Sequence, residues 1–441
     1  MTSSAPEIRQ PGMLAVAVPT LASSLIYSCV GFASIKAVAG LGVDSVAAVL
    51  AAERVLLLVN AGLAVVVGPT AALIAQLWGA GRQPEAAGAL RLLIWLVSGL
   101  GLGLTLVTWL AAPALVGLFG LSTAAQVSAV LFLRITSAFN VLAGIAQVLT
   151  AAQRATGDAT TPLWAFGIAN LVNILMLATL VQGWGPIPGL GVAGAAWANG
   201  VAYALAAALL YASLQLRGSA LRSGGSIDPT QVAKVFRIGL PASAQQILVY
   251  FGLFIMMLLV ARFGAAAAAA YGLAMNVVSF AFIVGSACAT AAATLVGQRI
   301  GAGDDAGARR DAWRAAGYAT VAMTVLGAVA AVFAGPIGRF ADMPASAISP
   351  LTTFLVVLAI CQPFMALEFA LSGSLRGAGA TRPIMFISLV GLIGRLSCAT
   401  GFYLGGLDVR WVFAALLVDY GVKSALYVRV VLGAGWTRPV I

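Results

Sequence analysis

The chain has 441 residues, of which 61% are hydrophobic and only 8% are charged. Its mean hydropathy of +1.03 lies far outside the range of water-soluble domains, so the composition excludes an ordinary soluble enzyme or binding module. The net charge of +11 is not accompanied by a basic stripe interleaved with aromatic residues. We therefore expect the arginines to hold cytoplasmic loops at a membrane surface, and we expect no nucleic-acid partner.

The apolar runs are long enough to cross a lipid bilayer as helices. Runs of about 20 residues span a ~30 Å hydrocarbon core at ~1.5 Å per residue, whereas barrel strands alternate in polarity over about 10 residues. An all-α integral membrane protein is therefore predicted. The twelve predicted spans are, approximately, residues 13–37, 47–75, 90–112, 124–151, 162–183, 190–215, 238–261, 267–296, 313–336, 349–374, 383–404 and 410–432.

The second half of the chain repeats the first. The segment QLWGAG at residues 76–81 recurs as QRIGAG at residues 298–303, and Pro19 and Pro241 keep the same step of 222 residues. We interpret the repeated glycines as helix ends at the cytoplasmic surface, because glycine is a common C-terminal helix cap. A doubled, very apolar chain is typical of membrane transporters, which are often two related bundles with a substrate site between them.

The repeat and the charge pattern predict the domain organisation. Six spans in each half is an even number, so both halves enter the membrane in the same direction and are related in parallel. An N-lobe is expected at residues 1–216, a polar cytoplasmic linker at 217–237 and a C-lobe at 238–441. Basic residues such as Arg154 and Arg376 concentrate in one alternate set of loops, which predicts that both termini are cytoplasmic.

The sequence lacks the residues and motifs that several kinds of catalysis and metal binding require. There is no histidine, and the four cysteines lie in apolar runs without a Cys-x-x-Cys pair, so neither a metal site nor a disulfide framework is expected. The sequence contains no phosphate-binding Gly-x-x-x-x-Gly-Lys loop, no Gly-x-Ser-x-Gly elbow and no His-Glu-x-x-His helix. We therefore expect neither an enzyme nor a bound cofactor.

Four segments carry a resemblance to a known family. They are RIGLP at residues 237–241, LVGQRIGAGD at 295–304, LRGAGATRP at 375–383 and LGVAGAA at 190–196. Together they resemble the multidrug and toxin extrusion (MATE) family of secondary transporters, over nearly the whole chain. The resemblance implies two six-helix lobes around a central cavity that opens alternately to each side of a plasma membrane. It also implies export of amphiphilic drug-like or metabolite molecules against entry of protons or sodium ions.

The acidic residues that the resemblance implies are absent at the aligned positions. The chain has Ser34 in the first span, Leu177 in the fifth, Val249 in the seventh and Met365 in the tenth. Glu368 lies one turn from Met365 and shares its helix face. Coupling by a single acid of the second half, or a different mode of coupling, is therefore expected.

Glu368 is the main ion-coupling candidate. It lies eight residues before Arg376, roughly 12 Å into the core, where a lone carboxylate is costly and by default functional. The alternative is a fixed structural pair with Arg395, which is predicted at a similar depth. Asp419 is also central, but Lys423 follows at i+4, a spacing that favours local neutralisation on one helix face.

Uncharged polar residues within the spans are candidates for lining a substrate cavity. Each of them can instead bond between helices as packing contacts. Ser34 and Met365 join this set through the resemblance, and Gln245, Gln246 and Tyr250 form a cluster on one span. The remaining candidates are Tyr27, Asn60, Gln147, Tyr271 and Asn276.

Two other functions fit a two-lobed membrane protein of this kind. A flippase for lipid-linked sugars shares the ancestry and the plan, but such proteins often carry several cavity arginines for a phosphate group. Only Arg395 is predicted to be central here. The missing acids also leave open a passive channel or a sensor that does not transport.

Overall fold

The computed structural model describes residues 12–184, 188–216, 219–222, 225–433 and 435–441. Gly218 and Gly224 of the predicted linker lie outside these residues. The described part of the chain folds into fourteen α-helices: α1 (Met13–Ala39), α2 (Val43–Gly79), α3 (Gln83–Gly117), α4 (Thr123–Ser137), α5 (Asn140–Ala155), α6 (Thr160–Leu180), α7 (Val192–Leu216), α8 (Gln231–Ala261), α9 (Ala265–Gly301), α10 (Asp305–Val332), α11 (Ala334–Phe340), α12 (Ala345–Gly377), α13 (Thr381–Leu404) and α14 (Val409–Leu432).

The helices confirm an all-α membrane protein. Eleven of the described helices are long and apolar enough to span a membrane, and α4 with α5 forms a twelfth span if the bent pair is counted as one. The continuity predicted for residues 124–151 is wrong, because the chain bends by 52° between α4 and α5. The predicted span 313–336 is also interrupted, since α10 ends at Val332 and the short helix α11 begins at Ala334.

The internal repeat is visible in the helix bounds. Helices α2 and α9 each contain 37 residues, and both begin after a glycine with positive φ, Gly42 at 104° and Gly264 at 102°. Only glycine adopts this backbone conformation without steric cost. The two halves therefore share the local geometry that starts their second helices.

The repeated glycines end these two helices, as the sequence predicted. Gly81 and Gly303 have φ values of 71° and 76°. At the first of these turns the Arg82 N–H donates to the Leu77 carbonyl at 2.9 Å, which satisfies a carbonyl that the helix end leaves unpaired. The QLWGAG and QRIGAG segments thus form the last turn of each helix and the chain reversal that follows it.

At the second turn, three charged side chains form a cluster. Arg299 donates to Asp304 at 2.7 Å and to Asp311 at 3.0 Å. Asp304 also accepts a hydrogen bond from the Gly307 N–H at 2.8 Å and so caps α10. This bond, aided by Arg299, holds the pKa of Asp304 below its ordinary value.

The chain divides into two compact units. Unit 1 contains residues Val18–Ser243, and unit 2 contains Ala244–Ile441 together with residues 12–17. Helix α8 already begins at Gln231, inside the segment that was expected to be a linker. Its first part packs in unit 1, where the Ser243 hydroxyl donates to the Ala61 carbonyl at 2.5 Å.

Within unit 2, α12 is the central helix and packs against α9, α10 and α14. Its contact with α9 depends on two glycines, Gly373 and Gly377, which lie against Ala289 and Ala293. A Cβ atom on Gly373 would lie 2.6 Å from the Cα atom of Ala289. Small residues at a spacing of four let helix backbones approach closely in lipid, where side-chain packing drives association.

Replacing Gly373 by alanine is expected to destabilise the purified protein by about 1–3 kcal/mol, because the added methyl group overlaps the α9 backbone. Thermal unfolding in detergent measures the effect. Gly317→Ala is the matched control, since a Cβ atom there meets nothing within 4 Å and alanine favours a helix. Equal unfolding temperatures for the two variants would contradict the close packing of α9 and α12.

Candidate functional site

Four ionisable side chains meet inside unit 2, and we call them the charge network: Glu368 on α12, Arg395 on α13, and Asp419 and Lys423 on α14. The Lys423 Nζ atom lies 2.9 Å from Asp419 Oδ1 and 3.6 Å from Glu368 Oε1. Arg395 Nη1 lies 3.2 Å from Asp419 Oδ2. No side chain of the network is more than 13% exposed, so two acids and two bases are buried together with zero formal charge.

Two glycines make room for the network. A Cβ atom on Gly391 of α13 would overlap Asp419 Oδ1 and the stem of Lys423. A Cβ atom on Gly252 of α8 would overlap the Arg395 guanidinium. Buried charges are tolerated only when they are paired and their neighbours leave space for good geometry, so both glycines support the network by their lack of a side chain.

The prediction of Glu368 as a lone carboxylate is wrong. The alternative pairing with Arg395 is also wrong, because no ion pair joins these two side chains in the described residues; Arg395 instead binds Asp419. The contact predicted between Asp419 and Lys423 is present at 2.9 Å. It is not a purely local neutralisation, since the flexible stem of Lys423 also carries its ammonium group across to Glu368 on another helix.

One carboxylate oxygen of Glu368 makes no ion-pair contact within the charge network. Its Oε1 atom faces Lys423, whereas Oε2 is buried without a hydrogen-bond partner among the described residues. A proton can bind at Oε2 without displacing an existing hydrogen bond. Both oxygens of Asp419 and the Oε1 atom of Glu368 face a base of the network, so Glu368 Oε2 is its one carboxylate oxygen without an ion-pair contact, which makes it a candidate position for a proton.

The charge network has no counterpart at the repeat-related positions of unit 1. The step of 222 residues relates Glu368 to Ala146 and Arg395 to Asn173. Asn173 on α6 donates to the side chain of Asn199 on α7 at 2.9 Å, so an uncharged pair joins the two helices there. The two halves thus share their helices but not the buried charge.

The predicted cavity residues fall into two groups. In unit 1, the exposed Tyr27 contacts Tyr203 through their hydroxyl groups at 3.4 Å, and Gln147 donates to the exposed Asn60 at 3.4 Å. In unit 2, Asn276 is exposed, whereas Gln246 and Tyr250 are half-buried. The six predicted residues of this group, Tyr27, Asn60, Gln147, Gln246, Tyr250 and Asn276, are therefore exposed or half-buried.

The other four predicted cavity residues are buried. Ser34, Gln245, Tyr271 and Met365 are all at most 7% exposed. Gln245 accepts a hydrogen bond from Arg376 at 2.9 Å, which joins α8 to α12. The ring of Tyr271 packs edge-on against Phe354, with ring centres 5.3 Å apart. These contacts fit packing between helices, the alternative that the sequence left open.

An apolar cavity of about 220 Å³ also lies within unit 2. Residues of α9, α10, α11 and α12 line it, and Gln362 is the polar residue of its wall. None of the predicted cavity residues lines this space. It is therefore a feature that the sequence patterns did not indicate.

Comparison with known proteins identifies relatives along the whole chain. A probable multidrug resistance protein NorM of Thermotoga maritima is 26% identical, covering 98% of this chain and 94% of its own length. A probable NorM protein of Xanthomonas campestris is 29% identical, covering 87% of this chain and 84% of its own length. The chain therefore spans most of each relative.

Solved structures share the fold. A crystal structure of a MATE protein in complex with MaL6 superposes with a TM-score of 0.90 at 19% identity, covering 98% of both chains. A MOP superfamily transporter of Pyrococcus furiosus, for which reverse polarity of the binding pocket suggests a different function, gives 0.88 at 19% identity and the same coverage. The matched structures extend across both units.

A family profile completes the comparison. The MatE profile matches twice, at residues 19–179 and 241–399. The two matches begin 222 positions apart, which is the step of the internal repeat. The chain belongs to the MatE family.

Proposed function

We propose that this protein exports amphiphilic, drug-like or metabolite molecules in exchange for protons or sodium ions, by alternating access. The chain is a membrane transporter of the MatE family and not an enzyme. Relatives that match most of its length are named as probable multidrug resistance proteins. This likeness supports small-molecule substrates for a transporter that is surrounded by membrane lipid.

The observation that carries ion coupling is the charge network. Glu368 offers a buried carboxylate oxygen without a hydrogen-bond partner, beside a lysine that its other oxygen contacts. Binding of a cation at this carboxylate changes its attraction for Lys423 and so changes the contact between α12 and α14. A site of this kind can bias two conformations, which is what coupling requires.

The flippase alternative is less well supported. A phosphate head group needs basic side chains that are free to bind it. Arg395 and Lys423, the buried bases of the charge network, are each already paired with a carboxylate. Binding a phosphate there would require breaking these buried pairs.

We further propose a location in the plasma membrane with both termini cytoplasmic. The support is the distribution of basic residues along the sequence, which favours the cytoplasmic side for the loops that contain Arg154 and Arg376. No cofactor takes part in the proposed cycle, because the transported cation is its only co-substrate.

Reconstitution into proteoliposomes tests this function. Transport of a panel of fluorescent amphiphiles, neutral and cationic, is measured with an imposed proton or sodium gradient and without one. We expect gradient-dependent transport of at least one amphiphile. Translocation of a labelled phospholipid-linked sugar without ion dependence would contradict antiport and support the flippase.

A further inference from the structure

We propose that Lys423 is a built-in cation that occupies the place of a sodium ion, so that the ion carried by this protein is a proton. The inference rests on the proposed function, because it names the ion of that antiport. It starts from three observations on the charge network: the position of the lysine, the balance of charge and the space left for its stem.

The Lys423 ammonium group lies between the two carboxylates. Its distances of 2.9 Å to Asp419 and 3.6 Å to Glu368 place it where an inorganic cation bridging α12 and α14 would bind. A carboxylate pair of this kind attracts small hard cations when it is not already compensated. Here the lysine provides the compensation.

The charged groups around Lys423 leave no uncompensated negative charge for a second cation. Helix α14 is packed against α12 and α13, which present Glu368 and Arg395 to the network. On its own helix the lysine faces Asp419, and it lies 5.4 Å from the ring centre of Tyr420. Two negative and two positive groups balance, so a sodium ion entering here would be repelled by both bases at short range.

The surroundings also fit a permanent lysine. The missing side chain of Gly391 leaves the volume that the Lys423 stem fills, since a Cβ atom there would overlap Cγ and Cε of the lysine. The described residues contain no group of three or more His, Cys, Asp and Glu side chains that would hold a metal ion. The fold thus accommodates an organic cation at this point.

A proton can act where a sodium ion cannot. It binds at Glu368 Oε2, the carboxylate oxygen of the network that faces neither base, and cancels the negative charge that attracts Lys423. The lysine then stays with Asp419 and the ionic contact from α14 to Glu368 on α12 is lost, while the hydrogen bond from the Ser424 hydroxyl to the Phe364 carbonyl still joins the two helices. Release of the proton restores the contact between Lys423 and Glu368, so protonation of Glu368 controls this ionic contact between α14 and α12.

Binding of radioactive sodium to the detergent-purified protein tests the inference without any transported substrate. Wild type is expected to show no saturable binding. Lys423→Met is expected to gain saturable binding that wild type lacks, because it leaves two carboxylates with one arginine. The double variant Lys423→Met/Glu368→Gln is expected to lose this binding again. Lys36→Met, at an exposed lysine, is the matched control and is expected to behave as wild type.

The outcomes separate this inference from the proposed function. Saturable sodium binding by wild type that Glu368→Gln abolishes would overturn the lysine as built-in cation, yet would leave a sodium antiporter standing. A monodisperse Lys423→Met protein without sodium binding would also overturn it. If Lys423→Met does not fold, Lys423→Gln replaces it, and the wild-type measurement decides alone if neither folds. Failure of transport in proteoliposomes would instead contradict the proposed function.

Discussion

Replacing Asp419 by asparagine is expected to lower the free energy of unfolding by about 3–5 kcal/mol, because it leaves two buried bases with one acid. Asp419 is fully buried and contacts both Arg395 and Lys423. The asparagine keeps the size of the side chain, so the loss would come from charge and not from a cavity. Thermal or denaturant unfolding of the purified protein in detergent measures the change.

A second variant separates charge balance from packing. Asp419→Asn/Lys423→Met removes one acid and one base, which leaves Glu368 and Arg395 with zero net charge. We expect this double variant to be more stable than Asp419→Asn alone, with a favourable interaction energy of about 1–3 kcal/mol. Additive losses would contradict a network whose stability depends on charge balance.

Asp342→Asn is the matched control for the single variant. Asp342 is exposed and has a φ of 51°, a left-handed conformation that asparagine tolerates well. The expected change in the free energy of unfolding is within about 0.5 kcal/mol. A loss comparable to that of Asp419→Asn would show that the assay does not report on buried charge.

Glu368→Gln is expected to abolish gradient-driven transport while the protein remains folded. The amide keeps the shape of the side chain but cannot take up and release a proton, so export driven by an ion gradient should fall at least about tenfold. Exchange of labelled for unlabelled substrate should persist, because exchange returns a loaded carrier and needs no ion release. Parallel assays of driven transport and exchange in proteoliposomes measure the two activities.

Glu53→Gln provides the control for this substitution, since it makes the same change in a spanning helix of unit 1. Glu53 lies outside the charge network, and we expect its variant to keep gradient-driven transport. Loss of both driven transport and exchange in Glu368→Gln would indicate a structural role for Glu368. Undiminished driven transport would eliminate Glu368 as the coupling residue.

Much of the fold follows from patterns that are local in the sequence. Apolar runs of sufficient length predict helices because lipid leaves the backbone no other partners, and the runs indicated the eleven long apolar helices and the bent pair of α4 and α5. The glycines of the repeat predicted the helix ends at Gly81 and Gly303, since a left-handed residue at a helix end is a local requirement. The contact of Asp419 with Lys423 was also predictable from local sequence, because residues at a spacing of four lie on one helix face.

The bend between α4 and α5 was not predictable from apolar runs. No proline marks it, but the polar residues Thr136, Ser137 and Asn140 lie at the bend, inside the run of residues 124–151. The equivalent helix of unit 2, α12, is unbroken although it contains Pro350 and Pro363. A run of apolar residues therefore does not indicate whether a spanning helix is straight or bent.

The candidate site depended on contacts between helices distant in the sequence. Glu368 was identified from its depth alone, but depth does not select a partner. Sequence spacing linked Lys423 to Asp419, whereas its second contact, with Glu368, depends on the packing of α12 against α14. The signal that was available is the presence of four ionisable residues at similar depth in three spans of one half. Buried charges in lipid must find partners, and that requirement, applied across spans, favours a network.

The most direct test of ion-coupled export follows the pH inside proteoliposomes when a transported amphiphile is added outside in the absence of sodium. Substrate entering the vesicles should drive protons out, and the lumen should become more alkaline for wild type but not for Glu368→Gln. Entry of substrate into wild-type vesicles without a change in luminal pH would contradict proton exchange. If sodium efflux were also absent when sodium is supplied, coupled antiport itself would be contradicted.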